Sequence, residues 1–104
     1  MIYIQKHSLQ DTLDYTTYRC RKIIGEHSTI KIHYYRGQYK GYIYIVKMLK
    51  YLIAHKCKIR HFELYNHIKT QKNIVMSKYH PQNDFKNGIR DSLYDILNYI
   101  SMGK

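Results

Sequence analysis

Apolar residues change their spacing several times along this chain, and each change marks an expected element. Residues 29–35 alternate, with Ile30, Ile32 and Tyr34 on one side and Lys31, His33 and Tyr35 on the other. A period of two is the pattern of a half-buried strand. Arg36-Gly37 and Gly41 then suggest a turn or the start of a helix. Beyond them Tyr42, Ile45, Val46, Leu49, Leu52 and Ile53 recur at helical spacing, with Lys47 and Lys50 largely off that stripe. Residues 58–65 read as a second strand, its alternation slipped by a bulge near Arg60-His61. Residues 66–71 are polar and read as a loop, and residues 72–79 as a third strand around Ile74-Val75-Met76. Pro81-Gln82-Asn83-Asp84 combines turn and helix-capping residues, so a short helix is expected from there to about Arg90. Residues 93–100 fit either a closing strand or a continuation of that helix.

From Ser28 the order is strand, helix, strand, strand, helix and a closing strand. That is the α+β order of a ferredoxin-like plait, βαββαβ, with a long basic hairpin loop. Residues 1–27 are mixed, with Asp11-Thr12-Leu13-Asp14 a candidate helix start. They are expected as an N-terminal extension ahead of a single domain over residues 28–104. No internal repeat or low-complexity linker interrupts the chain.

Charge sharpens the picture. The 104 residues carry a net charge of +11. Residues 19–78 hold fourteen Lys and Arg against two acids, Glu26 and Glu63, with tyrosines threaded between them. Such a surface suits a polyanion, because each neutralised phosphate releases condensed counterions. Tyrosines, thirteen of the fifteen aromatic residues, offer stacking surfaces to the bases of single-stranded or loop RNA. Residues 42–54, the most apolar run, are broken by Lys47 and Lys50 and too short to span a bilayer. Cys20 and Cys57 lie far apart and read as free thiols. A single Ala and a single Pro beside abundant Ile, Tyr and Lys fit an A/T-rich genome.

Several motifs together resemble the universal small-subunit ribosomal protein ten, over residues 29–100. Ile30-Lys31-Ile32-His33-Tyr34 stands for that family's first strand, the helix with Ile45-Val46 follows, and Ile74-Val75-Met76-Ser77 stands for a later strand. His80 matches the family histidine, and Gln82-Asn83-Asp84-Phe85-Lys86 the start of the second helix. The sequence departs at Ser77-Lys78-Tyr79-His80-Pro81, at Arg36-Gly37 and at Tyr65-Asn66-His67-Ile68. The resemblance implies a structural component of the small-subunit head, bound to rRNA and to neighbouring ribosomal proteins. Its hairpin would be residues 58–78, with Arg60, His61, His67, Lys69 and Lys72 toward the tip. RNA contacts are expected there and at Lys31, Arg36, Lys58, Lys78 and His80. The start of the chain carries no presequence pattern, so an organellar member would be made inside the organelle. A mitochondrial matrix ribosome is therefore the expected setting, and the cytoplasm of an A/T-rich bacterium or a virus-infected cell the alternative.

Other chemistry is poorly supported. Tyr34 and Tyr42 are expected in the core, and Tyr35 or Tyr39 against RNA. His55, Cys57, His61 and His67 have no structural-zinc spacing, so no metal is expected. The seven carboxylates form no paired motif for two-metal chemistry, and Asp84 reads as a helix cap. Tyr42-Ile43-Tyr44-Ile45 lacks the second motif that a tyrosine-rich nuclease would need. Neither an enzyme, a cofactor nor a small-molecule substrate is expected. The competing class is a small viral or phage-encoded regulator that binds nucleic acid or protein.

Overall fold

The computed structural model describes residues 8–26, 32–56, 61–78 and 83–101. Four helices account for nearly all of them: α1 (Leu9–Glu26), α2 (Ile32–Ala54), α3 (His61–Lys78) and α4 (Asp84–Ser101). No strand occurs among the described residues. The α+β plait expected from the sequence is therefore corrected to an all-α fold.

Local chemistry explains where the helices begin and end. Ser8 and Asp11 cap α1 reciprocally: the Asp11 N–H donates to Ser8 Oγ at 3.0 Å and the Ser8 N–H to Asp11 Oδ2 at 3.2 Å. Asn83 caps α4 by accepting the Lys86 N–H at 3.1 Å. Helix α2 closes at Lys56, whose φ of 52° takes the left-handed conformation usually left to glycine. Inside α1, Thr12 and Thr16 are buried because their hydroxyls donate to the carbonyls of Ser8 and Thr12, at 3.0 and 2.7 Å.

The most extensive contact joins α2 to α4, while α1 lies on α2 and α3 on α4. Gly37 and Gly88 set how close the central pair comes. A Cβ added at Gly88 would sit 2.1 Å from the Tyr34 carbonyl oxygen, and one at Gly37 would sit 2.0 Å from that of Phe85. Backbone thus lies against backbone, which only glycine allows. One turn further on, Gly41 faces Ser92, whose hydroxyl is satisfied by the Ile89 carbonyl at 2.7 Å. Around this seam Tyr42, Ile45 and Leu49 of α2 meet Ile89, Leu93, Ile96 and Ile100 of α4. Leu13, Cys20 and Ile23 of α1 and Leu64 and Ile68 of α3 complete the same core.

The errors of strand assignment share a cause. Residues 32–35, 61–65 and 72–78 are helical, and residues 66–71, expected as a loop, continue α3. Residues 29–31, 57–60 and 79–82 lie outside the described residues. In helical phase Val75 turns toward the core whereas Ile74 is half exposed, so the apolar triplet is not one buried strand. In residues 32–35 the alternation gives way to the glycine seam, because strand propensity is weaker than tertiary packing. Residues 93–100 continue α4, resolving the alternative left open by the sequence. With them goes the basic hairpin over residues 58–78: its described part is one helix.

Candidate nucleic-acid interface

Helix α2 is the longest helix, at 23 residues, and contains no Asp or Glu. Its inner stripe of Tyr42, Ile45, Val46 and Leu49 leaves an opposite face to solvent. That face carries His33, Arg36, Lys40, Tyr44, Lys47 and Tyr51, all exposed, at intervals of three and four residues. Such spacing lines them up along roughly 27 Å at about 1.5 Å per residue. Tyr39 and Lys50, also exposed, flank this line and share a surface groove with Arg21 of α1. Tyr51 extends it by stacking on His55 at a centroid distance of 4.1 Å.

Three acidic side chains mark helix starts. Asp11, Glu63 and Asp84 sit in the first turns of α1, α3 and α4, where the helix dipole favours a negative charge. Asp95 joins three helices on the flank of α4 that meets α1 and α2. Tyr15 donates to its Oδ1 at 2.7 Å, Tyr42 to its Oδ2 at 2.5 Å and Arg19 to its Oδ2 at 3.1 Å. Asp91 accepts the Tyr34 hydroxyl and pairs with Arg90 at 3.1 Å. Asp91 and Asp95 are thus occupied in holding the bundle together, while the exposed Asp84 lines a surface pocket with His33 and Arg36 at the start of α2.

This tyrosine–aspartate network ties α1, α2 and α4 together. Burial, reinforced by the hydrogen bond to Asp95, pushes the Tyr15 hydroxyl up to about 12. Burial and the bond to Asp91 do the same to Tyr34, and Tyr42 is pushed further up. Hydroxyls so reluctant to ionise are poor proton donors to a substrate near neutral pH. Burial likewise raises the Cys20 thiol, which leaves it a weak nucleophile. Among the described residues no three His, Cys, Asp or Glu side chains come together to hold a metal. No helix described is long and apolar enough to cross a membrane.

The residues singled out in the sequence fall on different elements. Arg36 lies on the α2 stripe, while His67 and Lys69 are exposed on α3. Lys72 is half-buried, its ammonium 4.2 Å from the Tyr94 ring centroid and 3.2 Å from the Tyr94 hydroxyl. His61 and Lys78 are the end residues of α3. Lys31, Lys58, Arg60 and His80 lie outside the described residues. The expected set is therefore not gathered at one hairpin tip. Tyr42 is fully buried and Tyr34 half-buried against α4; Tyr39 is exposed and Tyr35 half-buried. The expected RNA contacts did not include Lys40, Tyr44, Lys47, Lys50 or Tyr51, although the three lysines belong to the basic stretch. Their helical spacing and the missing acids were the available signal.

Compared with models of known families, with curated proteins and with solved structures, the chain matches none.

Proposed function

We propose that this chain is a non-enzymatic nucleic-acid-binding module whose ligand lies along the outer face of α2. The observation that carries the reading is the acid-free stripe of cations and tyrosines on that helix. Lysines and arginines take phosphates as counterions leave, and the interleaved tyrosine rings take base faces. Bases in a duplex are already stacked, so single-stranded or loop RNA fits better than duplex DNA. The ribosomal setting implied by the resemblance required an α+β body and a β-hairpin. With helices in their place it has only composition and residue pattern behind it, so the proposal rests on the α2 face alone.

Salt dependence of binding tests it. A fluorescein-labelled single-stranded RNA is titrated by anisotropy over a range of salt concentrations. Lys40→Gln, Lys47→Gln and Lys50→Gln combined should lower the log–log slope by about 0.7 for each phosphate no longer neutralised, with helicity unchanged by circular dichroism. Lys69→Gln on α3 should change the slope less than any of these. An unchanged slope in the triple variant would show that α2 touches no phosphate. Failure of every polyanion to bind would favour the protein-binding regulator instead.

A further inference from the structure

The cations of α2 are not centred on its exposed face. Counted from Tyr44 at about 100° of turn per residue, Lys40, Lys47, Arg36 and Lys50 fall about 40°, 60°, 80° and 120° round the helix, all in one direction. Ile43 and Val46 lie in that direction too and line the groove against α1. Gly37 and Gly41, at the α4 seam, lie in the other. Tyr51 stays within about 20° of Tyr44. The stripe therefore has a cationic edge toward α1 and an aromatic edge away from it. Depressions beside α2 differ in the same sense. One at its start sets Asp84 beside His33 and Arg36, and one toward α3 has Lys40 as its single charged lining residue. The groove against α1 is lined by Arg21 of α1 and Lys50 of α2, with no acid among its lining residues. Both cations are exposed, and neither pairs with another described side chain. The other cations of α1 differ: Arg19 is tied to Asp95, and the Lys22 ammonium lies over the Tyr18 ring.

We infer that Arg21 takes a backbone phosphate of the single strand bound along α2, so that two helices share the interface; this rests on the reading given above. The sugar–phosphate side of the strand lies over the α1–α2 groove, and its bases turn toward Tyr44 and Tyr51. Packed helices stand about 8–10 Å apart, so cations on the facing edges of α1 and α2 flank one strand from both sides. A guanidinium suits the task, because its planar fork gives two parallel hydrogen bonds to a phosphate. Between Arg21 and Lys50, Tyr39, Ile43 and Val46 form a weakly polar bed on which sugars can rest. Both edges of the stripe select the occupant. An acidic peptide would satisfy the cations but leave the rings of Tyr44 and Tyr51 without a planar partner. Each nucleotide carries a phosphate on one side and a base on the other, and so uses both edges at once.

Salt titrations with oligouridylate test the assignment. Arg21→Gln should lower the log–log slope by about 0.7, and Arg21→Lys, which keeps the charge, should restore it. Lys22→Gln removes the neighbouring cation, about 100° round α1 and outside the groove, and should leave the slope unchanged. Arg21 is exposed and pairs with no described side chain, so urea midpoints and circular dichroism should match the wild type in each variant. Polyglutamate of equal charge should bind more weakly than oligouridylate. An unchanged slope in Arg21→Gln, or an equal fall in Lys22→Gln, would overturn the proposal. So would polyglutamate binding as tightly as oligouridylate, because the groove would then suit an acidic protein segment. Failure of the underlying reading looks different: no RNA binds at all, or the slope ignores the α2 lysines as well as Arg21.

Discussion

Asp95 is the residue on which three helices depend. Its two oxygens accept from Tyr15 and Arg19 of α1 and Tyr42 of α2, so the position of α1 is specified by hydrogen bonds as well as by apolar packing. Tyr15 adds a stacking contact with Tyr99, at a centroid distance of 4.1 Å. Tyrosines in such networks make stability depend on alkaline pH. Tyr15 and Tyr34 ordinarily lose their proton near 10.0 and in the fold are held up to about 12. A raised folded value means the folded state holds the proton more tightly than the unfolded chain. The stabilisation is therefore complete below pH 10.0 and declines as pH rises from there through about 12. Urea midpoints measured across that window should fall, and the decline should flatten in the double variant Tyr15→Phe, Tyr34→Phe. A midpoint constant across the window would contradict the network. Helical spacing was enough to place Tyr42 in the core from sequence. Its partner was not legible, because Asp95 lies 53 positions away and nothing in a single sequence couples the two.

At the scale of elements, the α2–α4 seam decides the fold. Glycine in a helix interior ordinarily costs about 1 kcal/mol relative to alanine, so replacing it would be expected to help. Here the opposite is expected. An alanine Cβ at position 88 would meet the Tyr34 carbonyl at 2.1 Å, and a backbone carbonyl cannot swing aside like a flexible side chain. Overpacking costs about 1–3 kcal/mol or more. Gly88→Ala should therefore lower the urea midpoint with little change in slope, whereas a rise would show that the helices do not approach so closely. The same glycines misled the sequence reading. Gly37 and Gly41 punctuate turns as often as they line helix crossings, and only the facing Gly88 and Ser92 reveal which applies. Helix α3 was illegible for another reason. Leu64 and Ile68 are its only buried apolar residues among those described, too few to give a period through the polar positions between them. Helix α2 beyond Gly41 and the start of α4 were legible, because a broad apolar stripe and Asx capping residues are local signals, although the capping residue is Asn83 and not the expected Asp84.

For the whole molecule, the partition of charge matters more than its total. The net +11 could be read directly from the sequence, as could its concentration in the middle of the chain. Its placement could not, since that depends on which face of each helix is buried. Folding turns Asp91 and Asp95 toward other helices and sets Asp11, Glu63 and Asp84 at helix starts. From Lys40 to Tyr51 the outer face of α2 carries cations and tyrosine rings, with Asp84 beside its first turn, and a bound polyanion would relieve the self-repulsion along it. The sequence placed the basic interface on a hairpin over residues 58–78, whose described part is a helix, and the proposed interface lies instead on Ile32–Ala54. Mapping backbone amide shifts by NMR as oligouridylate is added tests that address most directly. The largest changes should follow His33, Arg36, Lys40, Tyr44, Lys47 and Tyr51 along α2, with the exposed Tyr94 and Asn98 of α4 left still. Shifts centred on Tyr94 and Asn98, or none along α2 at saturation, would contradict it.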